Sequence, residues 1–419
     1  NTQHRKILLQ EFKNDIFVDS KFRYPLAEFG IHEIVILKWA RGVQLFNDYY
    51  KYNDRCGCMY CPLMKQGNMK YLKKYKEWVQ EKFSKGEAAL YQQARDENLK
   101  LLTKFIKDRY DIGKDFDSLI VTSGAQQVMD LATKALCDFG DTVICECPSF
   151  IGSLNCFRSY GCKLAGVPVE ADGMNIEALE NAIKNAENPR FIYTIPNFQN
   201  PSGATMSLQK RKAVYELAKK YGLLILEDNP YGDLRISGED IPSIKSFDED
   251  GIVIYAGSFS KLLAPGIRVG YIVAPSPVIA KMTVGKQAAD VHTPVFSQML
   301  VDKWMEQYDI DAHIEKIRAI YREKLNLMCD LIDSELGDFV EYVRPEGGLF
   351  VWCKLPDNVN MLEFVKDCIA NKVAVVPGTA FMINDEETNC FRMNFSTPSD
   401  EKIVEGMKLL GKVKEKYIG

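Results

Sequence analysis

From about residue 115 the chain alternates short apolar runs with amphipathic stretches. The text reads "SLIVTSG", "AQQVMDLATKALCDFG", "TVICECPSF", "RFIYTIP", "LQKRKAVYELAKKYG", "LLILEDNP", "IVIYAGS" and "GYIVAP". The apolar runs are rich in Val, Ile and Tyr and have the length of buried strands, whereas the segments between them repeat with a period near 3.6. Strands apolar on both faces need helices on both sides, and crossover helices make such a sheet mainly parallel. The expected class is therefore α/β.

The pattern changes after "KQAADVHTPVFSQMLVDKW". A long amphipathic segment, "DIDAHIEKIRAIYREKLNLMCDLIDSEL", leads to "FVEYVRPEGGLFVWCKLP", a helix, "VAVVPGTAFM", "CFRMNFS" and a last helix. That order predicts a smaller α+β domain over 301–419, joined by a long helix to a large domain over 113–300. Residues 1–112 form an atypical N-terminal segment. In it, "YLKKYKEWVQEKF" sets Tyr71, Leu72, Tyr75, Trp78, Val79 and Phe83 on one helical face, a stripe suited to core contact.

Composition narrows the function. A chain of 419 residues can bury more than one core. Its net charge of -4 gives no electrostatic case for nucleic acid, whose binding draws on concentrated Lys and Arg. No apolar run reaches the roughly 18–20 residues of a membrane span, and "NTQHRKILLQEF" lacks the apolar core of a signal peptide, so the expected compartment is the cytoplasm. The 12 cysteines are scattered, several within apolar runs, and are expected to be reduced. Cys56, Cys58 and Cys61 lie close together in "NDRCGCMYCPLMK", but a closed metal site needs a fourth ligand and none is near in sequence. No metal is expected.

Four motifs fall at the carboxyl ends of predicted strands, the edge where open parallel sheets place their ligands. "VTSGAQQVMDL" runs a strand into Ser123 and Gly124 and opens a helix near Ala125, which exposes backbone N–H groups suited to a phosphate. "PNFQNPSG" offers Asn200 on a turn set by Pro201 and Gly203. "LLILEDNPYGDL" ends an apolar strand in Glu227 and Asp228, carboxylates that need a partner if buried. "GSFSKLLAPGIRVGY" brings Ser258, Ser260, Lys261 and Arg268 to the end of another apolar run. Together they suit a ligand with a phosphate, a protonatable ring nitrogen, a ring hydroxyl and a carbonyl. Pyridoxal 5'-phosphate has all four.

The stretches "SFSKLLAPGIRVGY", "PNFQNPSG", "EDNPYGDLR", "PEGGLFVW" and "FRMNFS" closely resemble the class I/II aminotransferases of fold type I. Within these the chain is similar to the branch of 2-aminoadipate, kynurenine and aromatic aminotransferases and the aminotransferase-like half of MocR-type regulators. The resemblance runs from about Leu119 to the C-terminus. It implies a mainly parallel seven-stranded sheet in the large domain and a smaller α+β domain, with residues 1–112 contributing an arm and active-site cover. It implies that Lys261 forms the Schiff base with pyridoxal 5'-phosphate and that Asp228 pairs with the pyridine nitrogen. Asn200 and Tyr231 would contact the ring hydroxyl, and Phe150 would stack on the ring. Ser123, Gly124, Ala125, Gln126, Ser258, Ser260 and Arg268 would surround the phosphate. Arg392 would hold the substrate α-carboxylate, with Asn200 beside it, since a planar guanidinium suits a bidentate pair.

The implied reaction is a ping-pong transfer of the amino group of an L-amino acid to a 2-oxo acid, with 2-oxoglutarate the partner expected by family habit. A homodimer with shared active sites is implied as well, with Tyr91 reaching a neighbouring subunit's phosphate. The chain departs from the family pattern at three places. "ALYQQARDENLKLL" has Gln92 where a glycine is usual, Ala125 replaces a common serine, and no glycine-rich "GGLP"-like cover is present. A β-lyase or decarboxylase could use the same cofactor. A cofactor-sensing regulator would carry an N-terminal winged helix, whose pattern is not evident in residues 1–85.

Overall fold

The computed structural model describes residues 101–384 and 386–418; Tyr91 and the Cys56, Cys58 and Cys61 cluster lie outside them. After helical residues 101–110, the chain forms β1 (Asp117–Thr122), α1 (Ala125–Leu136), β2 (Thr142–Cys147) and α2 (Ile151–Ser159). Next come β3 (Lys163–Glu170), β4 (Gly173–Met174), α3 (Ile176–Asn185), β5 (Pro189–Thr194), α4 (Leu208–Tyr221) and β6 (Leu224–Asp228). β7 (Val253–Ser258), β8 (Gly270–Pro275) and α5 (Ser276–Ala289) complete this part.

The sheet order is β1-β8-β7-β6-β5-β2-β3-β4. Among the seven long strands only β8 runs against its neighbours. The eighth member, β4, is not anticipated from sequence: it is a two-residue return of the chain along β3, pairing Val169 with Met174 and Glu170 with Gly173.

Side-chain alternation explains why the strands read as unbroken apolar runs. Val143, Phe191, Leu226 and Ile254 pack on one face with Val128 and Leu131 of α1, Leu154 and Phe157 of α2 and Met282 of α5. Their neighbours Ile144, Ile192, Ile225 and Val253 pack on the opposite face with α3 and α4 residues such as Leu179, Ile183, Val214 and Ala218. Each strand thus buries both faces. Helices α3 and α4 are closed by side-chain caps: Asn175 accepts from Ala178 N–H and Ser207 from Lys210 N–H. Helix α1 starts instead on Gly124, with no side-chain cap.

The C-terminal part contains α6 (Val295–Gln307), α7 (Ile310–Leu331), β9 (Glu341–Tyr342), β10 (Phe350–Lys354), α8 (Met361–Ala370), β11 (Val376–Pro377), β12 (Cys390–Asn394) and α9 (Asp400–Lys414). Its antiparallel sheet has the order β11-β12-β10-β9. Phe391 and Met393 of β12 face a core shared with Phe364 of α8, Met407 of α9 and Leu325 of α7. Arg392, between them in sequence, is left on the other face, opposite Trp352. Among the described residues, no helix is long and apolar enough to cross a membrane.

Candidate active site

The ends of β1, β2, β5, β6 and β7 lie along one edge of the large sheet because these strands are parallel. Strand β8 starts at that edge because it is antiparallel: Gly270 pairs with Thr122 on one side and Ser258 on the other. A Cβ at Gly270 would lie 2.8 Å from Gly124 C and 2.9 Å from Ala125 N, so only glycine lets the start of α1 approach this closely. The sequence motifs of residues 123–126, 258–261 and 268 are thereby brought together.

Arg268 crosses this junction. Its Nη2 donates to Ser123 O at 3.2 Å, and its Nη1 donates to Ser260 Oγ at 3.4 Å and Pro265 O at 3.2 Å. Gly124 has φ of 82°, and a Cβ there would fall onto the Arg268 guanidinium. At Ser258, the hydroxyl accepts from Ser260 N–H at 3.1 Å. Ala125 opens α1, and Gln126 in its first turn donates to Gly152 O at 3.0 Å. A guanidinium, an uncapped helix start and two serines make a cradle for an anion. Ser123 contributes through its carbonyl; its hydroxyl turns away to Asp290 Oδ2 at 2.8 Å.

Asp228 ends β6 and is 4% exposed. Tyr193 Oη donates to its Oδ2 at 2.9 Å, and Ser153 Oγ donates to Tyr193 Oη at 2.9 Å. Its other oxygen, Oδ1, is buried without a hydrogen-bond partner. Burial pushes the carboxyl up to about 7, against the lowering effect of the Tyr193 bond. Glu227, one residue earlier, braces the backbone instead, accepting from Ile244 N–H at 2.9 Å and Lys245 N–H at 2.8 Å.

Asn200 follows β5 and is 2% exposed. Its Nδ2 donates to Tyr231 Oη at 3.4 Å, and its Oδ1 accepts from Arg392 Nη1 at 2.6 Å. The Arg392 guanidinium carbon lies 4.0 Å from the Phe350 ring centroid and 4.8 Å from that of Phe381. Arg392 Nε is buried with no partner, and burial lowers the pKa of this side chain. Asn200, Tyr231 and Arg392 thus form one group, while Phe150 caps the start of α2, its ring over Gly152.

Lys261, just beyond β7, is half-buried. Burial lowers its pKa, and the positive charges of Arg268 and Arg392 add to the effect. Among the described residues no carboxylate pairs with it. Each lowering effect enlarges the fraction of neutral amine, the form that acts as nucleophile or base.

Sequence reasoning missed Tyr193, Ser153, Phe381 and Glu146. Glu146, at the end of β2, accepts from Thr194 Oγ1 at 2.6 Å, Ile195 N–H at 3.1 Å and Gln199 Nε2 at 3.2 Å, fixing the loop that carries Asn200. Burial pushes its pKa up to about 7. All four sit within ordinary apolar or helical text, and their partners lie far along the chain.

A mainly parallel sheet with a lysine, a buried acid and an anion cradle at its carboxyl edge defines a fold-type I pyridoxal-phosphate enzyme. The family model of the class I and II aminotransferases matches residues 63–410, and the chain belongs to that family. It is 39% identical to aromatic-amino-acid aminotransferase 1 of Thermococcus litoralis, over 74% of this chain and 75% of that protein. It is 37% identical to 2-aminoadipate transaminase of Thermus thermophilus, over 78% and 82% of the two chains. The crystal structure of the multiple substrate aminotransferase from Thermococcus profundus superposes with a TM-score of 0.74 at 35% identity, covering 76% of this chain and 81% of that one.

The residues present fit pyridoxal 5'-phosphate. Asp228 Oδ1 is a buried polar atom without a partner, and the Gly124 cradle has room only while residue 124 lacks a side chain. The chain is a pyridoxal-phosphate-dependent transaminase.

Proposed function

We propose that this transaminase moves the amino group of an L-amino acid to 2-oxoglutarate by a ping-pong reaction centred on Lys261. The single observation that carries the reading is Asp228, a buried carboxylate held on one oxygen by Tyr193 and left without a partner on the other. Ionised, it would keep a pyridine nitrogen protonated; its cost of burial is then offset by that partner.

Pyridoxal phosphate, when bound, supplies a conjugated ring that takes up the electron pair left when the substrate's α-proton is removed. The chain's residues do the rest. Lys261 would hold the cofactor covalently through Nζ and, when free of it, would carry the substrate's α-proton on that same atom. Its lowered pKa favours the neutral amine that this step needs. Asn200 and Tyr231 would orient the ring through its hydroxyl, and Phe150 would cover one face. Gly124, Ala125, Gln126, Ser258, Ser260 and Arg268 would hold the phosphate, Ser123 acting through its backbone. Arg392, oriented by Asn200 and flanked by Phe350 and Phe381, would bind the α-carboxylate as a bidentate pair.

In the same reading, 113–300 binds the cofactor, 301–419 brings Arg392 to the substrate, and 1–112 supplies the arm and cover. Tyr91 would reach the phosphate of a neighbouring subunit in a cytoplasmic homodimer. Exposed Val291, Met299 and Leu300 near the start of α6 give such an association apolar surface.

The test is a donor screen against 2-oxoglutarate, beginning with aromatic amino acids and 2-aminoadipate because relatives carry those names. The expected result is glutamate formation with a matching change in the cofactor's absorbance in each half-reaction. Elimination or decarboxylation products without glutamate would contradict it.

A further inference from the structure

We propose that Lys286 and Asp290 are positioning residues that fix the phosphate cradle from behind. The inference rests on the assignment of residues 123–126 and Arg268 to the cofactor phosphate and goes on to say what holds that turn in place.

Lys286, near the end of α5, is 4% exposed. Its ammonium donates to Gln127 Oε1 at 2.7 Å, to Asp290 Oδ1 at 2.9 Å and to Thr293 Oγ1 at 3.1 Å. Three acceptors thus satisfy a charge that would otherwise be costly to bury. The acceptors stand on α1, at the end of α5 and on the segment leading into α6.

The same groups close on Ser123. Asp290 Oδ2 accepts from Ser123 Oγ at 2.8 Å and from Gln127 Nε2 at 2.9 Å. Gln127 Oε1 accepts the Ser123 N–H at 2.8 Å. Both donors of Ser123 are therefore used on the side of Lys286, and its carbonyl is left to accept Arg268 Nη2. The cluster sets the plane of the 123–124 peptide and, through that carbonyl, the aim of Arg268 over Gly124. No member of the cluster needs to touch the phosphate for the effect to operate.

The chemistry is that of an ammonium template. Gln127 and Asp290 are each oriented by Lys286 and each pass that orientation to Ser123. Replacing Lys286 by Met removes the template and leaves Asp290 charged with one cation fewer; replacing Ser123 by Ala cuts the link to Asp290 but keeps the Lys286–Asp290 pair.

The test compares K286M and S123A with the unaltered enzyme, each in its pyridoxamine-phosphate form, in which the cofactor is held without a covalent bond. Affinities for pyridoxamine 5'-phosphate and for pyridoxamine are measured together with the 31P shift of the bound cofactor. Loss of an interaction of charge-assisted strength predicts that K286M weakens pyridoxamine-phosphate binding by about tenfold or more, S123A by less. Pyridoxamine affinity should be nearly unchanged and the 31P signal displaced in both. If K286M and S123A keep the original phosphate dependence and 31P shift, or lose both ligands equally, the inference is overturned. R268M separates the two levels: it should lose phosphate-dependent affinity outright. Full retention by R268M would overturn the cradle assignment itself, whereas loss in R268M with retention in K286M and S123A would overturn only the positioning role.

Discussion

Asp228, proposed to face the pyridine nitrogen, carries a stability cost along with that role. The unfolded carboxyl titrates near 3.8, whereas burial brings the folded one to about 7. The folded protein therefore binds more protons than the unfolded chain between those values, and stability falls as pH rises through that window. Above about pH 7 the cost is fully present unless a cation stands beside Oδ1. For the cofactor-free protein, Asp228→Asn should thus gain stability over the unaltered chain as pH rises from 5 to 8, by on the order of 2 kcal/mol. Denaturant titrations at the two pH values check this, and an unchanged difference would contradict it. Glu146, also near 7, is raised in part by the Asp228 charge, so Asp228→Asn eases its ionisation too and adds to the difference in the same direction.

At the scale of elements, the start of α1 is the decisive piece. A helix that begins on Gly124 without a side-chain cap keeps its first N–H groups available, and glycine alone allows φ of 82° beside the Arg268 guanidinium. Gly124→Ala should cost about 1–3 kcal/mol of stability through backbone strain and displacement of Arg268. Cofactor affinity should fall at least about tenfold. Equilibrium dialysis with pyridoxamine 5'-phosphate measures it. The alternation of elements and the strand-end positions of Asp228 and Lys261 are legible because each depends on nearby text, whereas the grouping of Gly124 with the distant Arg268 is implied only by the family resemblance. The direction of the Ser123 hydroxyl is not legible, since its acceptor Asp290 lies 167 positions further on. Tyr193 is hidden for a related reason: within "RFIYTIP" it reads as strand filler, and only the parallel pairing of β5 with β6 puts it beside Asp228. The short β4 escapes notice because "VEADGM" holds a turn with almost no strand on its far side.

In the whole molecule, two sheets meet at the site. Arg392 leaves the small sheet to bind Asn200 of the large one, and the loop after Tyr231 is stitched to the entry of β10. There Ile236 N–H donates to Glu346 O at 2.7 Å, Gly348 N–H donates to Leu234 O at 3.1 Å, and Arg235 Nη1 donates to Glu346 Oε2 at 2.7 Å. The residues of "PEGGLFVW" and "FRMNFS" are thus placed against those of "PNFQNPSG" and "EDNPYGDLR", an arrangement that no single motif reveals. Arg392→Lys should raise KM for the amino donor by about 10- to 100-fold with a smaller change in kcat, since an ammonium cannot reproduce the planar pair. Steady-state kinetics at fixed 2-oxoglutarate resolves the two constants.

The proposed reaction turns on Lys261 as the residue to which the cofactor is joined and through which the proton moves. Borohydride reduction of the holoenzyme, followed by peptide mapping by mass spectrometry, tests this directly. The expected product is a phosphopyridoxyl group on Lys261 in the unaltered enzyme. In Lys261→Ala there should be no covalent label, with cofactor still bound and turnover abolished. A label on another lysine, or undiminished transamination by Lys261→Ala, would contradict the assignment.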